Sequence, residues 1–157
     1  MKIKIERLKP ANWEEFYRCF KQILEGDFPG YPKKAKRSFS DEVKLRNAFV
    51  KKKRSFWVAK LEDKVAGFLI AISSPSGVTF INWLGVKKEF RGQGIGASLV
   101  ETWEKWAKKR GCHKLRIQTS KIENRAFFKR LGFRLEGKKE NDRYHLDFWI
   151  FGKIINE

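Results

Sequence analysis

Three glycines, Gly92, Gly94 and Gly96, fall within five residues, between an extended stretch that ends at Val86 and an amphipathic run that begins at Ile95. Nothing else in the 157-residue chain restricts the fold as strongly. Inside a regular element each glycine loosens the backbone and adds no core, so the residue is favoured where the chain turns sharply or lets another group approach closely. A helix start offers unpaired amides and the positive end of a dipole. A strand, a glycine turn and a helix are therefore expected here, with an anion, most simply a phosphate, seated on the turn.

The rest of the chain supplies a sheet around that unit. Ile3, Ile5 and Leu8 alternate with charged neighbours as a first strand. Asn12 followed by Glu15 has the spacing of a capping box, and Trp13, Phe16, Tyr17, Phe20, Ile23 and Leu24 then recur at helical spacing up to Gly26. The glycines and prolines of 26–34 indicate a loop, and Ser40-Asp41 opens a second helix through Val43, Leu45 and Phe49. Strands are expected over 55–61, 65–72 and 78–86, the first two joined by the polar turn Glu62-Asp63-Lys64. The run 65–72 is apolar on both faces, as in the centre of a sheet.

Beyond the glycines, a helix over 95–110 carries Ile95, Leu99, Trp103 and Trp106 as one stripe, with Glu101 and Lys105 facing water. A strand at 113–120, a short helix at 123–131 closed by Gly132, and a hairpin of 133–137 with an alternating strand 143–155 complete the chain. No repeat or low-complexity linker divides it, so residues 1–157 are expected to form one mixed α/β domain.

Composition narrows the function classes. Apolar residues make up 41% of the chain and aromatics 15%, enough for a core without disulfides or metal. Cys19 and Cys112 have no metal-ligand spacing and suit buried thiols in a reducing cytoplasm. No apolar run approaches the roughly 20 residues of a membrane span, and the first ten residues alternate as a strand and not as a signal peptide. The formal net charge of +18, concentrated in the runs 33–37, 51–54 and 108–110, favours a polyanionic or nucleic-acid-associated partner.

Two phosphate motifs fail against the glycine turn. A mononucleotide P-loop needs Lys-Ser/Thr after its last glycine, and Ala97-Ser98 stands there. A dinucleotide fingerprint tolerates Ala97 but needs an acidic residue closing the next strand, where Gln118-Thr119-Ser120-Lys121 stands. The segment from Trp83 to Gly111, with Arg91-Gly92-Gln93-Gly94-Ile95-Gly96 at its centre, resembles instead the signature of the GNAT acetyltransferase superfamily. The strand and short helix ending Phe127-Phe128-Lys129-Arg130-Leu131-Gly132-Phe133 resemble its second signature, and the likeness extends over essentially the whole chain.

That resemblance implies a central mixed, mostly antiparallel sheet of about seven strands with helices on both faces, and parallel strands (here 78–86 and 113–120) that splay at the cofactor site. It implies acetyl-CoA as acetyl donor, no metal, and direct transfer to a primary amine on a small molecule, a protein N-terminus or a lysine. The pyrophosphate would rest on amides of Gly92, Gln93, Gly94, Ile95, Gly96 and Ala97, with Arg91 adding charge or tying the loop down. Leu84, Gly85 and Val86 would offer main-chain groups to the pantetheine arm as to an added strand, and Asn124, Phe127 and Phe128 would complete cofactor binding.

The proton carriers depart from the family pattern. The tyrosine that protonates the leaving thiolate in many members falls at Phe128, which has no hydroxyl, so Tyr144 is one substitute. The strand before the glycines has no carboxylate at 80–82. Asn82 there can hold an amine or a water, and the candidates for the base lie on the last hairpin, Glu140, Asp142, His145 and Asp147, of which His145 has a suitable unperturbed pKa. Phe28, Tyr31 and Trp83 are expected to wall the acceptor side, built from the loop 26–38 and the turn 137–143, with Glu25, Asp27, Glu140 and Asp142 available to focus a cationic amine. The competing expectation is a catalytically idle module that binds coenzyme A or nucleic acid through its basic surface. Monomer and homodimer are both compatible with the sequence.

Overall fold

Alternation of apolar and polar residues sets the strands of the computed structural model, which describes residues 2–156. Strand β1 (Ile3–Arg7) pairs antiparallel with β2 (Ser55–Leu61), placing Ile3 opposite Leu61 and Arg7 opposite Trp57. β2 turns into β3 (Lys64–Ser73) through Glu62 and Asp63, both left-handed with φ of 51° and 66°. A two-residue turn of this hand matches the twist of the strands it joins. Strands β4 (Val78–Val86), β5 (Lys114–Thr119), β6 (Arg134–Lys139) and β7 (Phe148–Ile154) complete a seven-stranded sheet of order β1-β2-β3-β4-β5-β7-β6. The β4–β5 pair is parallel, whereas β1–β2, β2–β3, β5–β7 and β6–β7 are antiparallel. The parallel register runs over three pairs, from Val78 opposite Lys114 to Phe80 opposite Arg116, while β4 itself continues to Val86.

Among the described residues five α-helices accompany the sheet: α1 (Trp13–Asp27), α2 (Lys33–Phe39), α3 (Glu42–Val50), α4 (Ile95–Lys109) and α5 (Arg125–Arg130). The chain divides into two compact units, one of residues up to Ile72 with Asn82–Thr102, the other of Ser73–Ile81 with Trp103 onward. The first unit packs the apolar face of α1 through rings. Trp13, Phe16 and Phe20 are almost wholly buried, Phe16 meets Phe56 and Phe68 edge-on at 5.6 Å, and Trp13 stacks on Phe49 at 5.5 Å. Edge-to-face pairs add to the area that these rings remove from water. Cys19 lies in this core, where burial pushes its thiol up to about 12 and leaves it inert.

In the second unit Phe128, Phe133 and Phe151 form a ring cluster, and the indole of Trp103 donates to Thr79 Oγ1 at 3.2 Å in a fully buried contact. Lys153 reaches from β7 to Glu104 on α4 at 2.6 Å and to the Leu131 carbonyl at 2.8 Å, and Lys108 approaches the same carboxylate at 3.3 Å. Burial alone would raise the Glu104 pKa, but its two lysines outweigh that and hold the carboxyl below its ordinary value. A lowered folded pKa contributes stability above the unfolded value and loses it as pH falls through the folded one. Glu104→Gln is expected to cost about 1 kcal/mol at neutral pH, after allowance for solvent, a Tm loss of roughly 3 °C. It should also flatten the fall in Tm below pH 4.5. Melts of both proteins from neutral to acid pH check this, and identical acid limbs would exclude the role.

Three expectations are corrected. Asn12 precedes α1 without a side-chain cap, and the reciprocal half of the box is also absent, since the Asn12 amide donates to Lys9 O at 2.9 Å and the Glu15 carboxylate is spent on the Val65 amide of β3 at 2.7 Å. Part of the segment expected as loop is helix α2, so three helices and not two precede β2. The last strand begins at Phe148 and not at Arg143, because Tyr144 and His145 adopt left-handed backbone (φ 58° and 61°) in a 3-10 turn, Arg143–His145. By contrast Asp41 caps α3 as read, accepting from the Lys44 amide at 3.2 Å.

Candidate active site

The first unit builds the glycine turn from the end of β4 upward. Gly85 sits under α1, where a Cβ would lie 3.0 Å from both Ile23 and Phe68, so any side chain there would force these two to shift by a few tenths of an ångström. The Lys87 amide then donates to Ala66 O of β3 at 2.8 Å and holds the chain against the sheet. A short 3-10 turn, Lys88–Phe90, leads into Gly92 and Gly94, which take φ of 78° and 82°. No atom lies within 4 Å of a Cβ built on either glycine, so the backbone angle and not crowding demands the residue.

Helix α4 begins its ladder with the Ser98 amide on Gly94 O at 3.0 Å. The amides of Ile95, Gly96 and Ala97 precede that bond and, by helix geometry, have no carbonyl within the helix. Ile95 roots the turn, with its side chain buried at 2% exposure. Of the two roles open to Arg91, the geometry supports the tie: its Nε donates to Val86 O at 3.0 Å and its terminal nitrogen pairs with Asp27 at the end of α1. The positive character of the turn therefore comes from main-chain N–H groups and the α4 dipole, since the guanidinium is matched by a carboxylate.

On the acceptor side the structure brings together Phe28, Tyr31 and Trp83. Phe28 lies 5.4 Å edge-on to Trp83 and 5.3 Å from Tyr31. Phe39 of α2 joins them, 5.2 Å from Trp83, and the Tyr17 hydroxyl fixes the helix end by donating to Ser40 O at 2.6 Å. Sequence reasoning missed Phe39. Its one signal was the helical spacing of Ala35 and Phe39 inside a lysine run. Next to Trp83 on β4, Asn82 has a buried Oδ1 with no hydrogen-bond donor among the described residues.

The remaining candidates belong to the second unit. Asn124 ends a 3-10 turn, Ile122–Asn124, and is half-buried. Phe127 is half-buried, and Phe128, only 2% exposed, packs between Phe133 and Phe151 as a core residue. Tyr144 is half-buried, and His145 is exposed with Nδ1 3.2 Å from Asn141 Oδ1. Asn141 also donates its amide to Asp147 at 2.8 Å, which with the nearby Lys138 holds that exposed carboxyl below its ordinary pKa. Three of the four carboxylates expected to focus an amine have cations of their own: Asp27 has Arg91, Asp142 has Arg143 at 3.7 Å, and Glu140 has Lys138 at 4.0 Å. Among the described residues no three His, Cys, Asp or Glu side chains gather as metal ligands, and no helix is long and apolar enough to cross a membrane.

Comparison with known proteins adds an independent line. The model of the acetyltransferase (GNAT) family matches residues 12–133. N-acetyltransferase 8F1 of Rattus norvegicus is 29% identical over 115 residues, covering 70% of this chain and 51% of that protein. The chain spans about half the length of the curated relatives it matches. Among solved structures, the PaiA N-acetyltransferase of Thermoplasma acidophilum, in complex with coenzyme A, superposes with a TM-score of 0.82 at 21% identity, over 98% of this chain and 99% of that one. The ribosomal-protein-S18-alanine N-acetyltransferase of Escherichia coli gives 0.73 at 18% identity, over 99% and 96%. At these identities the likeness is one of fold: a seven-stranded, mostly antiparallel sheet with one parallel pair and helices around it.

Proposed function

Because the chain belongs to the acetyltransferase (GNAT) family, we propose that it works as one domain over 1–157, transferring the acetyl group of acetyl-CoA directly to a primary amine. The turn at 91–97 carries this reading. It has two glycines in left-handed backbone, open space where their side chains would be, and three helix-start amides outside the ladder. These features fit a diphosphate, an anion that needs several convergent N–H donors and close backbone approach. Gly92, Gln93, Gly94, Ile95, Gly96 and Ala97 would hold it, while Leu84, Gly85 and Val86 would bond the amide-bearing arm. When bound, acetyl-CoA supplies a thioester whose leaving thiol has an ordinary pKa near ~8.5, so protonating it helps the reaction without being indispensable.

The chain's own side chains then orient the amine and move its proton. Asn82 is the acceptor of a hydrogen bond from the incoming amine, because its oxygen is desolvated and lacks a donor. An amide cannot take the proton away, which leaves that task to His145 or to water. His145, with its Nδ1 3.2 Å from Asn141 Oδ1, would act through Nε2. Tyr144 is the hydroxyl assigned to the thiolate. Asn124 and Phe127 belong with cofactor binding in this reading, and Phe128 acts only through packing.

Release of free thiol from acetyl-CoA, measured across small amines, lysine peptides and peptides with free N-termini, tests the proposal. Turnover with at least one amine class, together with calorimetric heat from coenzyme A, is the expected result. Heat without turnover for any amine would favour an idle coenzyme-binding module, a reading to which the hydroxyl-free, buried Phe128 lends weight. Neither heat nor turnover would remove both.

A further inference from the structure

Resting on the acetyl-transfer reading, we propose that the acceptor is an acidic peptide segment, whose carboxylates are read by the cationic face of α2 while its amine lies against the Trp83 wall. Helix α2 carries Lys33, Lys34, Lys36 and Arg37, and no acidic residue occurs from Phe28 to Ser40. Among the described residues none of these four cations has an ion pair. Lys36 spends one donor on Glu25 O at 3.4 Å, and Lys33, Lys34 and Arg37 are exposed.

The helix is not a free surface element. Phe39 locks its end to Trp83, the residue after Asn82 on β4, so the helix flanks the aromatic wall while Lys33, Lys34 and Arg37 face solvent on its outer side. Of the two carboxylates that flank this stretch in sequence, Asp27 pairs with Arg91 and Asp41 accepts from the Lys44 amide. Such a wall repels a bare ammonium ion and attracts an amine whose carrier is anionic, and the net charge of +18 acts in the same sense at longer range.

Spacing favours a peptide as carrier. Lys33 and Arg37 are four residues apart on a helix, which sets their Cβ atoms about 5–6 Å apart. Alternate side chains of an extended strand lie about 6.7 Å apart, so acidic residues at the second and fourth positions of an extended segment can meet both. A peptide also supplies what the chemistry consumes, a primary alkyl amine at its N-terminus or on a lysine. The amino groups of nucleobases are conjugated into their rings and are poor nucleophiles.

The test uses peptides with a common N-terminal residue followed by Glu, Ala or Lys at positions two to four. With the native protein the Glu peptide should exceed the Ala peptide in kcat/KM by about tenfold or more, mainly through KM. The ratio should shrink as NaCl rises from about 0.05 to about 0.5 M. In Lys33→Glu/Arg37→Glu the preference should vanish or invert. Turnover of Ala or Lys peptides with no preference for Glu overturns the inference and leaves acetyl transfer standing. Should no peptide turn over, fluorescence anisotropy of labelled Glu and Lys peptides decides, since equal or weaker binding of the Glu peptide overturns it. Single-stranded RNA binding tenfold tighter than the Glu peptide, and lost in the double variant, would assign the surface to nucleic acid and likewise overturn it.

Discussion

Gly94→Val is expected to weaken coenzyme A binding by at least ~10²-fold, about 2.7 kcal/mol, while the protein stays folded with a Tm within about 5 °C of native. The reason lies in the backbone. Gly94 sits at φ 82°, a region that costs a residue with a Cβ about 1–2 kcal/mol, and a β-branched one more. Because no atom lies within 4 Å of that Cβ, the strain has no clash to add to it and is relieved by rotation of the turn. Rotation re-aims the amides of Ile95, Gly96 and Ala97, which act together on one anion. A small loss of stability therefore accompanies a large loss of binding. Gly94→Ala should fall between the two. Calorimetry with coenzyme A, set beside thermal melts, separates the two effects. Undiminished affinity in Gly94→Val would place the diphosphate elsewhere.

Features fixed by near neighbours in the chain were legible in the sequence. The strands followed from alternation, the Glu62-Asp63 turn from two polar residues between apolar runs, and the glycine turn from its own spacing. What escaped reading depends on partners remote in sequence. Helix α2 has only Ala35 and Phe39 as apolar residues and lies behind two prolines. It is held by the contact of Phe39 with Trp83, which no local pattern encodes. Glu15 carries the spacing of a capping box, but its bond to the Val65 amide spans 50 positions and wins. The tie between Arg91 and Asp27, 64 positions apart, decides between the two roles the sequence left open for Arg91, adding charge or bracing the turn. At the other end, alternation ran on through residues 143–147. There the Asp142 amide on Leu146 O (2.8 Å) and the Asn141 amide on Asp147 close a tight turn instead.

The same contrast between local identity and remote partner sets the outcome expected for Asn82. A buried acceptor with no donor costs a protein about 1–3 kcal/mol relative to a satisfied one, and Asn82 Oδ1 is such an atom. Asn82→Leu removes the oxygen and keeps the number of side-chain heavy atoms and the branch at Cγ. The variant is therefore expected to be at least as stable as the parent, with a Tm unchanged or higher by a few degrees. If the oxygen receives the amine's N–H, the same change lowers kcat/KM for the acceptor by about 10- to 10²-fold, with coenzyme A affinity unaltered. A gain in stability paired with a loss of turnover distinguishes a positioning residue from a packing residue, which would lose both together. Thermal melts, calorimetry with coenzyme A and acceptor kinetics on one preparation provide the three readings. Loss of stability with turnover intact would instead mean that the oxygen's donor is a structural water, and the amine would need a different acceptor on β4.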